Sequence, residues 1–195
     1  MPARPAAFLD RDGVINLEAG FVDRLERLVL FPYVIDAMRL LNQAGYLVVV
    51  ITNQAGVANG MYDEAFVEQT ARYLAARARQ GGATIHGHYY CPHSPDAVVE
   101  RYRTDCDSRK PKPGMALQAA RDLDIDLKRS VVIGDRWRDL AVANAVGARG
   151  ILVRTGYGAT EATMPPAGMT ADHVCENLIE AVVYLLDHPP LGTAS

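Results

Sequence analysis

Four short runs of apolar residues limit what this chain can fold into: AAFLD (6–10), YLVVVI (46–51), SVVIG (130–134) and GILVRT (150–155). Each run is continuous. A strand with one wet face alternates apolar and polar side chains, so an unbroken run belongs to a strand covered on both faces, as in a parallel sheet. Helical patterns separate most of the runs. Residues 33–44 place Val34, Ile35, Met38 and Leu41 on one face, and Gly45 is a natural stop. Asp63 to Arg79, Met115 to Leu123 and Trp137 to Val146 read as three more helices. A last one starts at Asn177, with Glu180 three residues on as in a capping box. Strand and helix in alternation predict a doubly wound α/β fold on a parallel sheet.

A length of 195 residues favours one domain, taken as residues 1–190, with a frayed tail after His188. Residues 17–32 read as a loop. Residues 86–113 read as a long inserted loop containing Cys and His, and irregular stretches of that length in compact domains are usually functional. The net charge of −3 argues against a nucleic-acid binder. The N-terminus lacks the apolar run of a secretory signal, and no stretch is long enough to span a bilayer. Cys91, Cys106 and Cys175 make an odd count, which favours reduced thiols over disulfides. The chain is therefore expected in the cytoplasm, as a monomer, away from membranes.

Each apolar run stops at a polar residue: Asp10, Thr52, Asp135 and Thr155. In doubly wound sheets the carboxyl ends of the strands border the ligand crevice. Parallel pairing would bring Asp10 and Asp12, of FLDRDGVIN, against Asp135. Three carboxylates at one point need a cation, and an all-oxygen donor set suits Mg²⁺. Residues 101–112 add Arg101, Arg103, Arg109, Lys110 and Lys112 against Asp105 and Asp107. Cation, threonine and basic loop together fit phosphoryl transfer, where negative charge spreads over the equatorial oxygens. A carboxylate can be the nucleophile in such a reaction. A second one two residues on can protonate the leaving oxygen and then activate water.

Taken singly, these features have plainer readings. Asp10-Arg11-Asp12-Gly13 could be an Asx-type turn, Thr52-Asn53 a turn, Gly134-Asp135 a helix cap, and the basic run a solvated loop. Only Arg109 and Lys110 in that run, beside Pro-Gly at a helix start, are expected to reach a site. Trp137 reads as packing, Cys175 as a buried residue, and His86 and His88 suggest no function.

Together the motifs resemble the haloacid dehalogenase superfamily of aspartate-dependent phosphatases. FLDRDGVIN is similar to its first motif, ITNQ to its second, RKPKPG to its third and VIGDRWRD to its fourth, in that order. The resemblance implies the Rossmann-like haloacid dehalogenase fold. It also implies Asp10 as nucleophile, Asp12 as acid/base, and Thr52 and Lys110 as phosphate ligands, with Asn53 beside them. Mg²⁺ would be held by the Asp10 carboxylate, the Asp12 carbonyl and Asp135, with Arg136 and Asp139 in support.

A closer resemblance covers nearly the whole chain. DRDGVIN, VITNQAGVANG, YYCPHSP, CDSRKPKPGM and VIGDRWRDL running on to LVRTGYG are similar to the bacterial heptose-bisphosphate and histidinol-phosphate phosphatases. That family has no large cap domain, and the loops here leave no room for one. Its implied activity is removal of the 7-phosphate of D-glycero-D-manno-heptose 1,7-bisphosphate, a sugar phosphate on the way to nucleotide-activated heptose for lipopolysaccharide or capsule. Arg109 is the implied substrate contact.

The family also carries a Cys, His, Cys, Cys zinc set, of which this chain keeps Cys91, His93 and Cys106 and has Ser108 in the last place. A neutral serine is a poor zinc ligand. Three ligands and a water could still hold structural Zn²⁺, or hydrogen bonds could close the loop without metal, and both readings stand. Asn59 and Arg136 replace the family's usual Arg and Lys. Asn59 leaves recognition of the distal phosphate and its anomer open, while Arg136 keeps the charge in a different shape. Histidinol phosphate is the rival substrate. A phospho-accepting signalling module is the rival of another class, and Asp12 speaks against it, since such modules lack an acid/base at that place.

Overall fold

A computed structural model describes residues 3–189. Six strands form one sheet: β1 (Ala6–Leu9), β2 (Leu47–Asn53), β3 (Gly87–Cys91), β4 (Val131–Gly134), β5 (Arg149–Val153) and β6 (His173–Cys175). Their spatial order is β3-β2-β1-β4-β5-β6, and every neighbouring pair is parallel. The helices are α1 (Val34–Gln43), α2 (Ala55–Ala58), α3 (Glu64–Gln80), α4 (Gly114–Leu123), α5 (Trp137–Val146), α6 (Gly158–Glu161) and α7 (Leu178–Asp187).

The unbroken apolar runs have a direct explanation. In β1, Ala7 and Leu9 enter the core shared with α1, α3 and α7, while Ala6 and Phe8 enter the core shared with α4 and α5. With a core on each face, neither set of alternate residues meets water. The chain winds outward from β1 to β3, then crosses back to lay β4 on the other side of β1. That reversal leaves a crevice at the carboxyl ends of β1 and β4, and Leu9 lies level with Ile133 just below it.

Helix ends follow local chemistry. Asp63 caps α3 by accepting from the Phe66 N–H at 2.9 Å. Asn177 caps α7 by accepting from the Glu180 N–H at 3.1 Å. The other half of the predicted capping box differs, since the Glu180 carboxylate accepts from the Glu176 N–H instead.

Two strands escaped the sequence pattern, and they are the two edges of the sheet. β3 occupies the start of the 86–113 stretch read as loop. Its first four residues are only half-buried, so GHYYC shows no apolar run. β6 has three residues, and its first is exposed. A frayed tail after His188 falls mostly outside the described residues. Among the described residues no helix is long and apolar enough to cross a membrane.

Candidate active site

Asp10 directly follows β1, and Asp135 directly follows β4. Carboxylate oxygens of Asp10, Asp135 and Asp139 lie within 4.8 Å of one another, and all three residues are buried. The expectation that Asp12 joins Asp10 and Asp135 through its side chain is corrected here. Asp139, in the first turn of α5, takes that place. The Asp12 carboxylate turns aside to Arg11, whose Nη2 is 2.9 Å from Asp12 Oδ2. Asp12 still lines the crevice.

Lys110 balances the cluster in part. Its Nζ lies 2.8 Å from Asp10 and 2.7 Å from Asp139, and donates to the Ile51 carbonyl at 3.0 Å. Burial pulls the ammonium down, but Asp10 and Asp139 outweigh it and leave its pKa above the ordinary value. One ammonium among three carboxylates is too little. Burial, opposed by Lys110 but reinforced by Asp139, pushes Asp10 up to about 6. Burial, then the charges of Asp10 and Asp139, pushes Asp135 up to about 8. Asp135 also accepts from the Tyr157 N–H at 2.8 Å. Gly13 and Gly156, both at positive φ, crowd this carboxylate, and a Cβ on either would run into it. Space and backbone both require glycine there.

The other expected residues fall into place around the cluster. Asn53 holds Lys110 by its backbone, accepting from the Lys110 N–H and donating to its carbonyl, each at 3.0 Å. Thr52 is buried at the crevice wall. Asp139 accepts from the Arg136 N–H at 3.1 Å, so it organises the start of α5 as well as Lys110. The Arg136 guanidinium lies over the Tyr157 ring, 3.5 Å from its centroid.

The crevice has a volume of about 350 Å³. Besides Asp10, Asp12, Thr52 and Asn53, it is walled by Arg109, Arg136, Arg138 and Tyr62, with Glu18 and Phe21 at the mouth. Arg109, Arg136 and Arg138 have no carboxylate within ion-pair distance among the described residues. Burial raises the Glu18 carboxyl above its ordinary range and pushes the Tyr62 phenol up to about 12.

The other loop cations stay local, with Arg101 lying over the Tyr102 ring. Arg103 pairs with Glu100 at 2.6 Å, and Lys112 with Asp105 at 2.8 Å. From the 101–112 run Arg109 alone walls the crevice, and the further positive charge there comes from Arg136 and Arg138 at the start of α5. Thr155 is also corrected. β5 ends at Val153, and Thr155 lines a neighbouring cleft with Glu18 and Tyr157. Asn59 is not among the residues that wall the crevice.

Cys91, His93 and Cys106 bring their ligating atoms within 4.8 Å of one another. Cys91 ends β3, and its Sγ is 3.8 Å from His93 Nδ1. Burial pushes the Cys91 thiol up to about 11. Ser108 takes part through its backbone, whose N–H donates to Cys106 Sγ at 3.4 Å. The knuckle is tied to the crevice wall at Arg109, whose Nη1 donates to the His93 carbonyl at 2.8 Å and whose N–H donates to the Cys106 carbonyl at 3.0 Å, and at Cys91, whose carbonyl accepts from the Gln54 N–H at 2.8 Å.

Sequence reasoning assigned no role to Arg11 and Gln54, although both are 1% exposed polar residues beside quoted motifs. Their position between buried runs was a usable signal. Tyr62, Glu18 and Phe21 sit in stretches without one.

A parallel sheet with aspartates at the ends of its two central strands, a lysine across from them and a threonine on the next strand defines a hydrolase of the haloacid dehalogenase type. Known proteins agree. The Hydrolase_like family model, described as HAD-hyrolase-like, matches residues 108–181. The chain is 42% identical over 178 residues to the D-glycero-beta-D-manno-heptose-1,7-bisphosphate 7-phosphatase of Escherichia coli, covering 90% of this chain and 91% of that one. It is 46% identical over 149 residues to the enzyme of the same name from Rhodopseudomonas palustris, covering 76% and 83%. A crystal structure of D,D-heptose 1,7-bisphosphate phosphatase from B. bronchiseptica, complexed with magnesium and phosphate, superposes with a TM-score of 0.82. That protein is 34% identical, and the match covers 94% of this chain and 98% of that one. The chain belongs to the heptose-bisphosphate phosphatase family, whose named members are phosphatases.

Proposed function

We propose that the chain removes the 7-phosphate of D-glycero-β-D-manno-heptose 1,7-bisphosphate by way of a phosphorylated Asp10. The observation that carries this reading is Asp10 itself: a buried carboxylate at the end of β1, 2.8 Å from Lys110 Nζ, opening on a crevice with three unpaired guanidiniums. Relatives whose names carry the β-anomer support the choice of substrate.

An Asp10 oxygen attacks phosphorus, and the bond from phosphorus to the sugar oxygen breaks. Asp12 gives its proton to that leaving oxygen. Asp12 then takes a proton from water, the water oxygen attacks phosphorus, and the bond to Asp10 breaks to release inorganic phosphate. Thr52 and Lys110 bind the phosphate that is transferred, with Asn53 fixing Lys110. Arg109 and Arg136 meet the phosphate at the other end of the sugar.

The donor set fits Mg²⁺. Asp10 and Asp135 offer hard oxygens, Asp139 is already engaged with Lys110, and an Asp135 carboxyl pushed to about 8 marks a place where positive charge is missing. The Asp10 and Asp135 carboxylates and the Asp12 carbonyl would hold the ion. It would supply charge neutralisation on the phosphate oxygens. Cys91, His93 and Cys106 would hold Zn²⁺ with one position left open by Ser108. That site is structural, since soft sulfur and imidazole ligands differ from the oxygen site.

The test is kcat/KM with Mg²⁺ for both anomers of the heptose bisphosphate, the corresponding monophosphates and histidinol phosphate. The β-bisphosphate should lead. Histidinol phosphate ahead by tenfold would overturn the substrate.

A further inference from the structure

The Asp12 carboxylate sits in a cage whose members are themselves held. Arg11 grips it through Nε and Nη2, at 3.2 and 2.9 Å from Oδ2, and anchors Nη1 on the Thr70 hydroxyl at 3.3 Å. Asn16 donates to Oδ1 at 2.9 Å. Gln54 donates one Nε2 hydrogen to Asp12 Oδ2 at 3.2 Å and the other to Thr52 Oγ1 at 2.8 Å. Its Oε1 accepts from the Tyr62 hydroxyl at 2.8 Å. Every hydrogen-bonding atom of the Gln54 side chain is thus engaged.

An amide can be turned over, exchanging its oxygen for its NH₂. Turned over here, its oxygen would face the Asp12 carboxylate and the Thr52 hydroxyl would lose its donor. Tyr62 guards against that by giving the amide oxygen a proton to accept. Its ring has a fixed seat, because a Cβ on Gly56 would run into it. Tyr62 is also a wall of the crevice, so the network reaches from the substrate space to both reacting neighbours.

We propose that Gln54, oriented by Tyr62, is a positioning residue that ties the Asp12 carboxylate to the Thr52 hydroxyl, so that acid/base group and phosphate ligand keep one fixed relation when substrate arrives. This rests on the reading of Asp12 as acid/base. Gln54 acts through Asp12 on kcat and through Thr52 on KM. Small misplacements matter, since shifts of about 1 Å can cost on the order of 10²-fold in rate.

Gln54→Leu removes the donors at similar volume. Tyr62→Phe removes one hydroxyl and leaves the ring seated, which keeps the test open if Gln54→Leu does not fold. The expected fall in kcat is about 30-fold for Gln54→Leu and about 5-fold for Tyr62→Phe. In an Asp12→Asn background either substitution should change the remaining kcat by less than about twofold, because the group being positioned is gone. Equal losses in the two backgrounds would overturn the proposal while leaving the acid/base reading intact, as would a Tyr62→Phe enzyme with the parent kcat. Near-normal turnover in Asp12→Asn alone would overturn that reading, and the proposal with it.

Discussion

Two clusters of metal-ligating side chains lie near the crevice, and they are built in opposite ways. Asp10, Asp135 and Asp139 project from the ends of β1 and β4 and from the first turn of α5, all buried. Cys91, His93 and Cys106 hang from the edge strand β3 and the loop after it, one buried and two half-buried. The first cluster is buried and holds like charges together, so the Asp10 and Asp135 carboxyls climb and the cluster fits a cation. The second is neutral when protonated and can close without one. The proposed chemistry uses the central strands, where position is fixed from both faces. The edge cluster pins a loop and meets the crevice through Arg109 and through the pairing of β3 with β2.

Substitutions at the first cluster should separate the two most sharply. Asp10→Asn should abolish phosphate release while its melting temperature stays at or above that of the parent, since one of the crowded charges is removed. Asp12→Asn, just outside the cluster, should lose roughly two to four orders of magnitude in kcat. Gly156→Ala should lower Mg²⁺ affinity by about 10- to 100-fold by displacing Asp135, read by titrating activity against the metal.

The pH response should carry the same signature. Asp135 has a folded pKa of about 8 against an ordinary value of 3.8. The metal-free protein keeps that proton between these limits, so the stability tied to its neutral form is complete at low pH and lost as pH rises through the folded value. Mg²⁺ must displace the proton. At one fixed Mg²⁺ concentration its thermal shift should be larger at pH 8.5 than at pH 6, reaching about 5–10 °C at pH 8.5 where that concentration is about a hundredfold over Kd. Equal shifts at the two pH values would break the contrast.

The edge cluster should give the smallest effect. Cys106→Ser should raise KM by a few-fold through Arg109 and leave kcat within about twofold. Metal analysis of protein purified without chelator should find zinc in the parent, and Ser108→Cys should hold it more tightly.

The same contrast explains what was legible in the sequence. The four central strands announced themselves because burial on both faces leaves an unbroken apolar run, and the polar residue that ends each run marked the crevice at Asp10, Thr52 and Asp135. β3 and β6 were invisible because an edge strand is half-wet and need not be apolar. The fourth run misled at Thr155, since β5 ends two residues earlier. Asp12 was placed with the wrong partners for a different reason. Its rotamer is set by Arg11, Asn16 and Gln54, contacts that no spacing along the chain encodes. Net charge over 101–112 says little by itself, because Glu100 and Asp105 neutralise Arg103 and Lys112 in the loop.

The central claim is that Asp10 becomes phosphorylated. Enzyme mixed with radiolabelled heptose bisphosphate and Mg²⁺, quenched in acid within the first turnover and digested, should yield label on the peptide containing Asp10, with none from Asp10→Asn. Burst-free turnover with no protein-bound label, or label on any other residue, would contradict it.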